Sequence, residues 1–209
     1  MKYLSIATLL LIGGIACAQD MPLSEIIKPG EGWRVHDGEM PKSEPGGYRV
    51  DAKNRLLILD RVMNNPGEPI KHSLAEPTAC TVALGGSTLL IADATDRHVW
   101  AFRIEKDGTL GPGDRYARLK VLGDDRRKKI TPPELYKADP SAMTMDGSNR
   151  TYVATSLGIQ SFDPTGRLNG VFTAPPGRVT ELAFEGNRMY ARADSKVYVR
   201  IMLAEGKKR

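Results

Sequence analysis

The chain has 209 residues, with 30 Lys and Arg against 25 Asp and Glu, which gives a formal net charge of +5. Aromatic residues make up only 6% of the sequence, and the two basic runs, at 126–129 and 207–209, contain none. Nucleic-acid binding is therefore not expected, because recognition of single strands needs aromatic side chains among the cations. The glycine-rich loops typical of phosphate and dinucleotide binding are also missing from the sequence.

Residues 1–18 have the features of an export signal. Lys2 supplies the positive start, an apolar stretch follows, and 16–18 read Ala-Cys-Ala, a small-residue cleavage site. The apolar stretch is shorter than the roughly 20 residues that a membrane-spanning helix needs. A lipid on Cys17 is the alternative, but a bulky aliphatic residue is then expected where Gly14 stands. We therefore expect a secreted or periplasmic protein with a free N-terminus, rather than a lipoprotein.

Processing leaves about 190 residues, which is enough for one domain with a sizeable core. It also leaves Cys80 as the only thiol, so no internal disulfide is expected, although export permits disulfides. Cys80 lies in an apolar run. It is predicted to be a small buried side chain rather than a reactive thiol.

The mature chain begins with an irregular segment, 19–45, which is rich in Pro, Gly and Glu. Only 32–36, Gly-Trp-Arg-Val-His, has the composition of a strand there. One domain is predicted over 46–203, followed by a basic tail at 204–209.

A short unit recurs within the predicted domain. In 51–60, 146–155 and 185–194 an acidic residue is followed by a tight turn ending in Asn-Arg and then by a β-rich run, and 84–93 has Gly-Gly-Ser as the turn. Asn and Gly tolerate the positive φ that such hairpin turns require. Spacings of roughly 33, 62 and 37 residues, with hairpins inside, are typical of propeller blades. The sequence therefore predicts an all-β chain, a β-propeller with about four recognisable blade repeats over 46–203. In propellers an N-terminal strand often completes the last blade, and the strand in 32–36 is a candidate for that role.

Strand patterns are clearest from residue 76 onwards. The run 98–105 alternates, with Val99, Ala101 and Arg103 on one side and larger apolar residues on the other. No segment has a helical period of useful length. Residues 111–138 have no periodicity and are predicted to be a long charged connection, which is either a functional loop or an excursion.

Three stretches, 76–110, 141–172 and 178–200, resemble the gluconolactonase/regucalcin-like (senescence marker protein) family of six-bladed propellers. The second is the most specific, with its Asn-Arg turn, Tyr-Val-Ala-Thr and Phe-Asp-Pro-Thr-Gly-Arg. Before residue 76 only 46–60 is similar to the family's opening blade. Four units are visible where the family has six, so a shortened or incomplete ring is expected.

The resemblance implies hydrolysis of lactones with one divalent cation, Ca²⁺ or similar, on the propeller axis. A hard cation held by oxygen ligands polarises the ester carbonyl, and a carboxylate serves as base. The family's ligand positions match Gly46, Thr78 and Ser141 in this chain, which are weak ligands. Asp139 and Glu44 lie nearby and are the candidate metal ligands, with Asp139 also the candidate catalytic residue.

Other polar residues have a structural explanation. His36, His72 and His98 are too far apart in sequence to indicate a zinc site. Asp60 and Asp93 end corresponding strands and are predicted to accept backbone hydrogen bonds there.

Two hypotheses remain open. The chain is either a metal-dependent lactone hydrolase that takes lactone or sugar-derived substrates, or a non-catalytic propeller. The second type binds a small ligand or, if the ring is open, a protein partner.

Overall fold

The structure, a computed structural model, describes residues 22–41, 48–51, 53, 55–58, 71–83, 85–125 and 137–207. The regular elements in these ranges are β-strands and two short 3-10 helices. None of the helices in the described ranges is long and apolar enough to cross a membrane. The prediction of an all-β chain is confirmed.

The strands follow one another along the chain and are numbered in that order. They are β1 (Arg34–His36), β2 (Tyr48–Val50), β3 (Leu56–Ile58), β4 (Pro77–Val82), β5 (Thr88–Asp93), β6 (His98–Ile104), β7 (Leu110–Arg118), β8 (Ala142–Met145), β9 (Thr151–Thr155), β10 (Gly158–Phe162), β11 (Leu168–Phe172), β12 (Val179–Glu185), β13 (Arg188–Ala193) and β14 (Lys196–Ile201). The 3-10 helices are η1 (Leu23–Glu25) and η2 (Leu122–Asp125).

These strands form antiparallel sheets that repeat one plan. The first sheet is β2-β3, the second β4-β5-β6-β7, the third β8-β9-β10-β11, and the fourth β12-β13-β14 with β1 at its outer edge. The inner strands β2, β4, β8 and β12 pack side by side in that order, as blades do around a propeller axis. The predicted β-propeller with about four blade repeats is therefore confirmed. The described residues of β2 and β12, at the two ends of the series, do not pack closely on each other.

The acidic residue of the recurring unit stabilises its turn. The Asp51 carboxylate accepts hydrogen bonds from the N–H groups of Lys53 and Arg55, both at 2.9 Å, and from Arg55 Nε at 2.8 Å. Asp146 repeats this arrangement, accepting from the Arg150 N–H at 3.0 Å and from Arg150 Nε at 2.5 Å. One carboxylate thus satisfies the free N–H groups of the turn and pairs with the arginine that ends it. This explains why the two residue types occur together in the sequence.

The N-terminal segment is part of the last sheet. In the register, Arg34 is opposite Val199 and His36 is opposite Val197, so β1 is the outer strand of the fourth sheet. Trp33 Nε1 donates a hydrogen bond to the carbonyl oxygen of Thr173 at 2.7 Å. The prediction that the strand in 32–36 completes the last blade is confirmed.

The prediction for 111–138 is wrong in its first part. Residues Leu110–Arg118 form β7, which pairs with β6 along its length, and the 3-10 helix η2 follows. β7 is an edge strand, and its Gly, Pro and charged residues obscure the alternation from which strands are recognised. Such residues discourage pairing with a further strand.

The core lies between neighbouring sheets. Because side chains alternate along a strand, Leu89 and Ile91 of β5 pack towards the first sheet, whereas Leu90 and Ala92 pack towards the third. The fourth sheet packs on the third through a further cluster that includes Tyr152, the described part's largest fully buried side chain. Burial of each Leu or Ile side chain contributes about 1.5–3 kcal/mol, so apolar packing between the sheets is a major source of stability.

A buried amide joins the second sheet to the third. Gln160 is fully buried, and its Oε1 accepts from the Lys120 N–H at 2.8 Å while its Nε2 donates to the Lys120 carbonyl oxygen at 2.7 Å. The Tyr116 hydroxyl adds a second link by donating to the Asp163 carbonyl oxygen at 2.8 Å. These bonds fix the position of the chain as it leaves β7.

Candidate functional site

The predicted ligand positions lie where the inner strands begin. Thr78 is the second residue of β4, and Ser141 directly precedes β8. Asp139 lies just before Ser141, and Arg178 directly precedes β12. The side chains of Asp139 and Arg178 are in contact, so β8 and β12 begin at the same end of the sheets. We call this end the starting end.

Asp139 does not present a free carboxylate at the starting end. Both its oxygens accept hydrogen bonds from Arg178: Nη1 donates to Oδ2, and Nη2 donates to Oδ1 at 3.1 Å. The pair is partly exposed, with 45% of the Asp139 side chain and 55% of the Arg178 side chain accessible. The hydrogen bond to Asp139 raises the pKa of Arg178 above its usual value. The guanidinium therefore neutralises the candidate ligand.

The residues at the matched positions are bound into their own sheets. The Thr78 hydroxyl donates to the Ala92 carbonyl oxygen at 3.4 Å, and the Ser141 N–H donates to the Ala154 carbonyl oxygen at 3.0 Å. Neither side chain carries a charge. Their hydroxyl groups are weak metal ligands, whereas the resemblance implies an amide and a carboxylate at these two positions.

Glu44, Gly46 and Asp60 lie outside the described residues. The predictions made for them stay predictions. The same holds for the basic run at 126–129.

Asp93 has the structural role that the sequence predicted. Its buried carboxylate accepts hydrogen bonds from the N–H groups of Ala75 at 2.9 Å, Glu76 at 3.2 Å and Thr95 at 2.7 Å, and from the Thr95 hydroxyl at 2.6 Å. Burial alone raises the pKa of Asp93, but these bonds outweigh burial and lower the pKa below its usual value. Its oxygens are occupied by the chain itself and are not directed at a ligand.

The donors at the starting end do not fit the implied cation. Calcium takes six to eight oxygen ligands, usually with several carboxylates among them. In the ranges that the structure describes, no group of three His, Cys, Asp or Glu side chains could hold a metal ion. Among the described residues, the carboxylate of Asp139 is bound to a guanidinium, and the matched positions Thr78 and Ser141 offer only hydroxyl groups.

The three histidines lie in different environments. His98 Nδ1 is 2.9 Å from Asp96 Oδ1, and Trp100 Nε1 donates to Asp96 Oδ2 at 3.2 Å. His72 Nδ1 is buried without a hydrogen-bond partner. His36 packs edge-on against the Tyr190 ring, with ring centroids 5.3 Å apart. The three side chains thus have different neighbours.

Sequence reasoning missed two features. Arg178 precedes a strand as an ordinary basic residue, and its role depends on contact with Asp139, which lies 39 positions earlier. A pocket on the fourth sheet is formed by residues of β1, β13 and β14, which include His36 and Tyr190. No local pattern indicates either feature, because each joins residues that are distant in sequence.

Comparisons with known proteins show the fold and nothing finer. No protein-family model matches the chain, and no curated protein matches it. A gluconolactonase from Xanthomonas campestris is similar in structure with a TM-score of 0.53 and 17% identity, over 73% of this chain and 46% of that protein. Regucalcin, a calcium-binding protein from Agrobacterium tumefaciens, is similar with a TM-score of 0.52 and 12% identity, over 85% of this chain and 62% of that protein.

A luciferin-regenerating enzyme is also similar, with a TM-score of 0.51 and 13% identity, over 76% of this chain and 62% of that protein. The chain shares the β-propeller fold of these proteins. It spans about half to three fifths of the length of the solved structures that it matches. At such low identity, activity does not follow from the common fold.

Proposed function

We propose that this chain is an exported, gluconolactonase-like propeller that binds ligands and does not hydrolyse lactones with a metal ion. The observation that carries the proposal is the pairing of both Asp139 oxygens with Arg178. The fold favours a relative of lactone hydrolases. The donor set favours a relative in which metal-dependent catalysis is absent.

The electrostatics at the starting end support this choice. A divalent cation at Asp139 has to displace a guanidinium that makes two charge-assisted hydrogen bonds with the same carboxylate. If Arg178 stays in place, its positive charge repels the cation. If it moves away, the described candidate positions offer one carboxylate, Asp139, and the neutral residues Thr78 and Ser141, which are too few strong ligands for calcium.

Metal binding and lactone hydrolysis are measured on the same preparations. Calorimetry with Ca²⁺, Mn²⁺ and Zn²⁺ is followed by pH-stat assays with simple aldonolactones. We expect no saturable metal binding and no metal-dependent turnover. The variants are Arg178→Gln, which frees the carboxylate, and Asp139→Asn, which removes its charge but keeps a side chain that tolerates positive φ. Asp114→Asn, on the exposed part of β7, is the matched control.

Two outcomes separate the hypotheses. If the protein binds a metal at micromolar concentration, and turnover disappears in Asp139→Asn but persists in Asp114→Asn, the chain is a lactone hydrolase and the proposal is wrong. If metal binding appears only in Arg178→Gln, the guanidinium alone excludes the cation, and the argument that the remaining ligands are too few is wrong.

Export is part of the proposal and has its own test. Mass spectrometry of the protein recovered from the periplasm or the medium is expected to find a chain that starts at Gln19. A full-length chain that stays in the cell contradicts export. A lipid on Cys17 contradicts the free N-terminus.

A further inference from the structure

The outer face of the fourth sheet has a pocket away from the starting end. The register of β1, β14 and β13 places Arg34, Val199 and Tyr190 in one row across three strands. The next row contains Ile201 opposite Arg188. The opposite face of β13 packs on the third sheet as part of the core. All five of these residues line the pocket.

Tyr190 is the unusual residue of this pocket. Only 3% of it is exposed, and no hydrogen bond to its hydroxyl group is found among the described residues. The hydroxyl oxygen is not one of the buried polar atoms that lack a partner, so it is accessible at the wall of the pocket. The ring is fixed by its edge-on contact with His36, at an interplanar angle of 72°. An accessible hydroxyl held in place at a pocket wall can donate a hydrogen bond to a ligand there.

The charges around the pocket favour an anion. Arg34 Nη2 is 2.9 Å from Glu31 Oε2 and is neutralised by it. Arg188 is exposed on the same side of the sheet and has no ion pair among the described residues. Two guanidinium groups against one carboxylate leave one positive charge in excess. A single negative charge on the ligand matches this balance.

The size and walls of the pocket limit the ligand further. Its volume is about 180 Å³, and a protein cavity of about 150 Å³ holds benzene. Val199 and Ile201 supply apolar walls. A molecule of about nine non-hydrogen atoms, with an apolar body and one charged end, fits this space.

We infer that this pocket binds a small monocarboxylate with an apolar body. Its carboxylate contacts the Arg188 guanidinium and the Tyr190 hydroxyl, and its apolar part lies on Val199 and Ile201. The site is formed by the outer face of the fourth sheet and includes neither Asp139 nor Arg178. The inference therefore stands whether or not the starting end binds a metal.

The test is a titration of the ¹⁵N-labelled protein with benzoate, followed by two-dimensional NMR. We expect saturable shifts for residues of β1, β13 and β14, with a dissociation constant of about 1 mM or lower for a ligand of this size. Benzamide has the same shape without the charge and is expected to bind at least tenfold more weakly, since charge-assisted hydrogen bonds are the stronger ones.

Two variants test the assigned contacts. Arg188→Gln is expected to weaken benzoate binding by about tenfold or more, and Tyr190→Phe by about fivefold. Arg103→Gln removes an exposed arginine from the second sheet and is expected to leave the affinity unchanged. Thermal unfolding of each variant shows whether the fold is retained, and Arg188 is exposed, so its replacement leaves the core intact.

Three results overturn the inference. The first is the absence of saturable shifts with benzoate. The second is equal affinity for benzoate and benzamide, which removes the argument from charge. The third is an Arg188→Gln variant that folds and binds benzoate as tightly as Arg103→Gln does.

Discussion

Removal of the Asp146 carboxylate is expected to destabilise the protein more than any other change in the recurring turns. Asp146 is fully buried, and its oxygens accept hydrogen bonds from the Ser148 N–H at 2.9 Å, from the Arg150 N–H and Nε, and from the Tyr152 hydroxyl at 2.8 Å. The Arg150 side chain is only 7% exposed. In Asp146→Ala its charge stays buried without a partner, since water cannot reach it freely.

The size of this effect follows from the burial. Breaking a buried ion pair by removing one partner costs about 3–5 kcal/mol. For a chain of this length, 1 kcal/mol corresponds to a shift of about 2–4 °C in the melting temperature, so a loss of roughly 6–20 °C is expected. Urea and thermal unfolding, followed by circular dichroism, measure it. Asp146→Asn, which keeps the volume and one acceptor oxygen, provides a milder variant if the Ala variant fails to fold.

The chain contains a matched control for this prediction. Asp51 makes the same bonds to Arg55 that Asp146 makes to its arginine, but the Arg55 side chain is 50% exposed. Asp51→Ala leaves a charge that water solvates, and its effect is expected to be clearly smaller. Equal losses for Asp51→Ala and Asp146→Ala would refute the reasoning, because the two turns differ in burial and in the Tyr152 hydroxyl bond that Asp146 accepts, and both differences make Asp146 the more important residue.

Three further predictions concern pH, the inter-sheet amide and the thiol. Hydrogen bonds from the Arg55 backbone and side chain lower the pKa of Asp51 from 3.8 to about 2. The contribution of the Asp51 carboxylate to stability is therefore fully present above about pH 4 and is lost as the pH falls towards 2. Over this pH range the urea midpoint is expected to drop less steeply in Asp51→Asn than in the wild type. Gln160→Ala breaks both bonds to the Lys120 backbone and is expected to cost about 2 kcal/mol in urea unfolding, more than Asn169→Ala, whose side chain makes one long bond of 3.4 Å. Cys80 is partly buried, and burial raises the pKa of its thiol to about 12, so a thiol reagent at pH 8 is expected to label the native protein more slowly than the unfolded one.

Each of these three predictions would be contradicted by one result. Equal drops of the urea midpoint between pH 4 and 2 in the wild type and in Asp51→Asn would show that Asp51 titrates alike in the folded and unfolded chain. Equal losses for Gln160→Ala and Asn169→Ala would mean that the amide does not join the sheets. Rapid labelling of the native protein would place the Cys80 thiol in contact with solvent.

The strands and turns of the later repeats were predictable because their signals are local. The alternation in 98–105 indicated β6, and short β-rich runs indicated β5, β8 to β10 and β12 to β14. The turn residues have the predicted positive φ, 62° at Asn149 and 54° at Gly186. The edge strand β7 was missed because Pro112 and its neighbouring glycines interrupt the alternation. Its pairing with β6 overrides this weak local preference.

The candidate site was predictable only in part. The resemblance located Thr78, Ser141 and Asp139 near the beginnings of inner strands, and the structure places them there. The state of Asp139 could not be predicted, because it depends on a guanidinium from another sheet. The pocket around Tyr190 depends in the same way on β1, which reaches the last sheet from the N-terminal part of the chain.

The sequence by itself determined the local architecture. It contains acidic residues that stabilise tight turns, strands with alternating apolar residues, and a repeat that requires sheets to stack. These features depend on residues a few positions apart, so they can be read along the chain. Only the tertiary structure decided what each carboxylate and hydroxyl contacts. Arg178 meets Asp139, and Tyr190 faces a cavity between arginines, because strands from separate parts of the chain come together when the sheets pack.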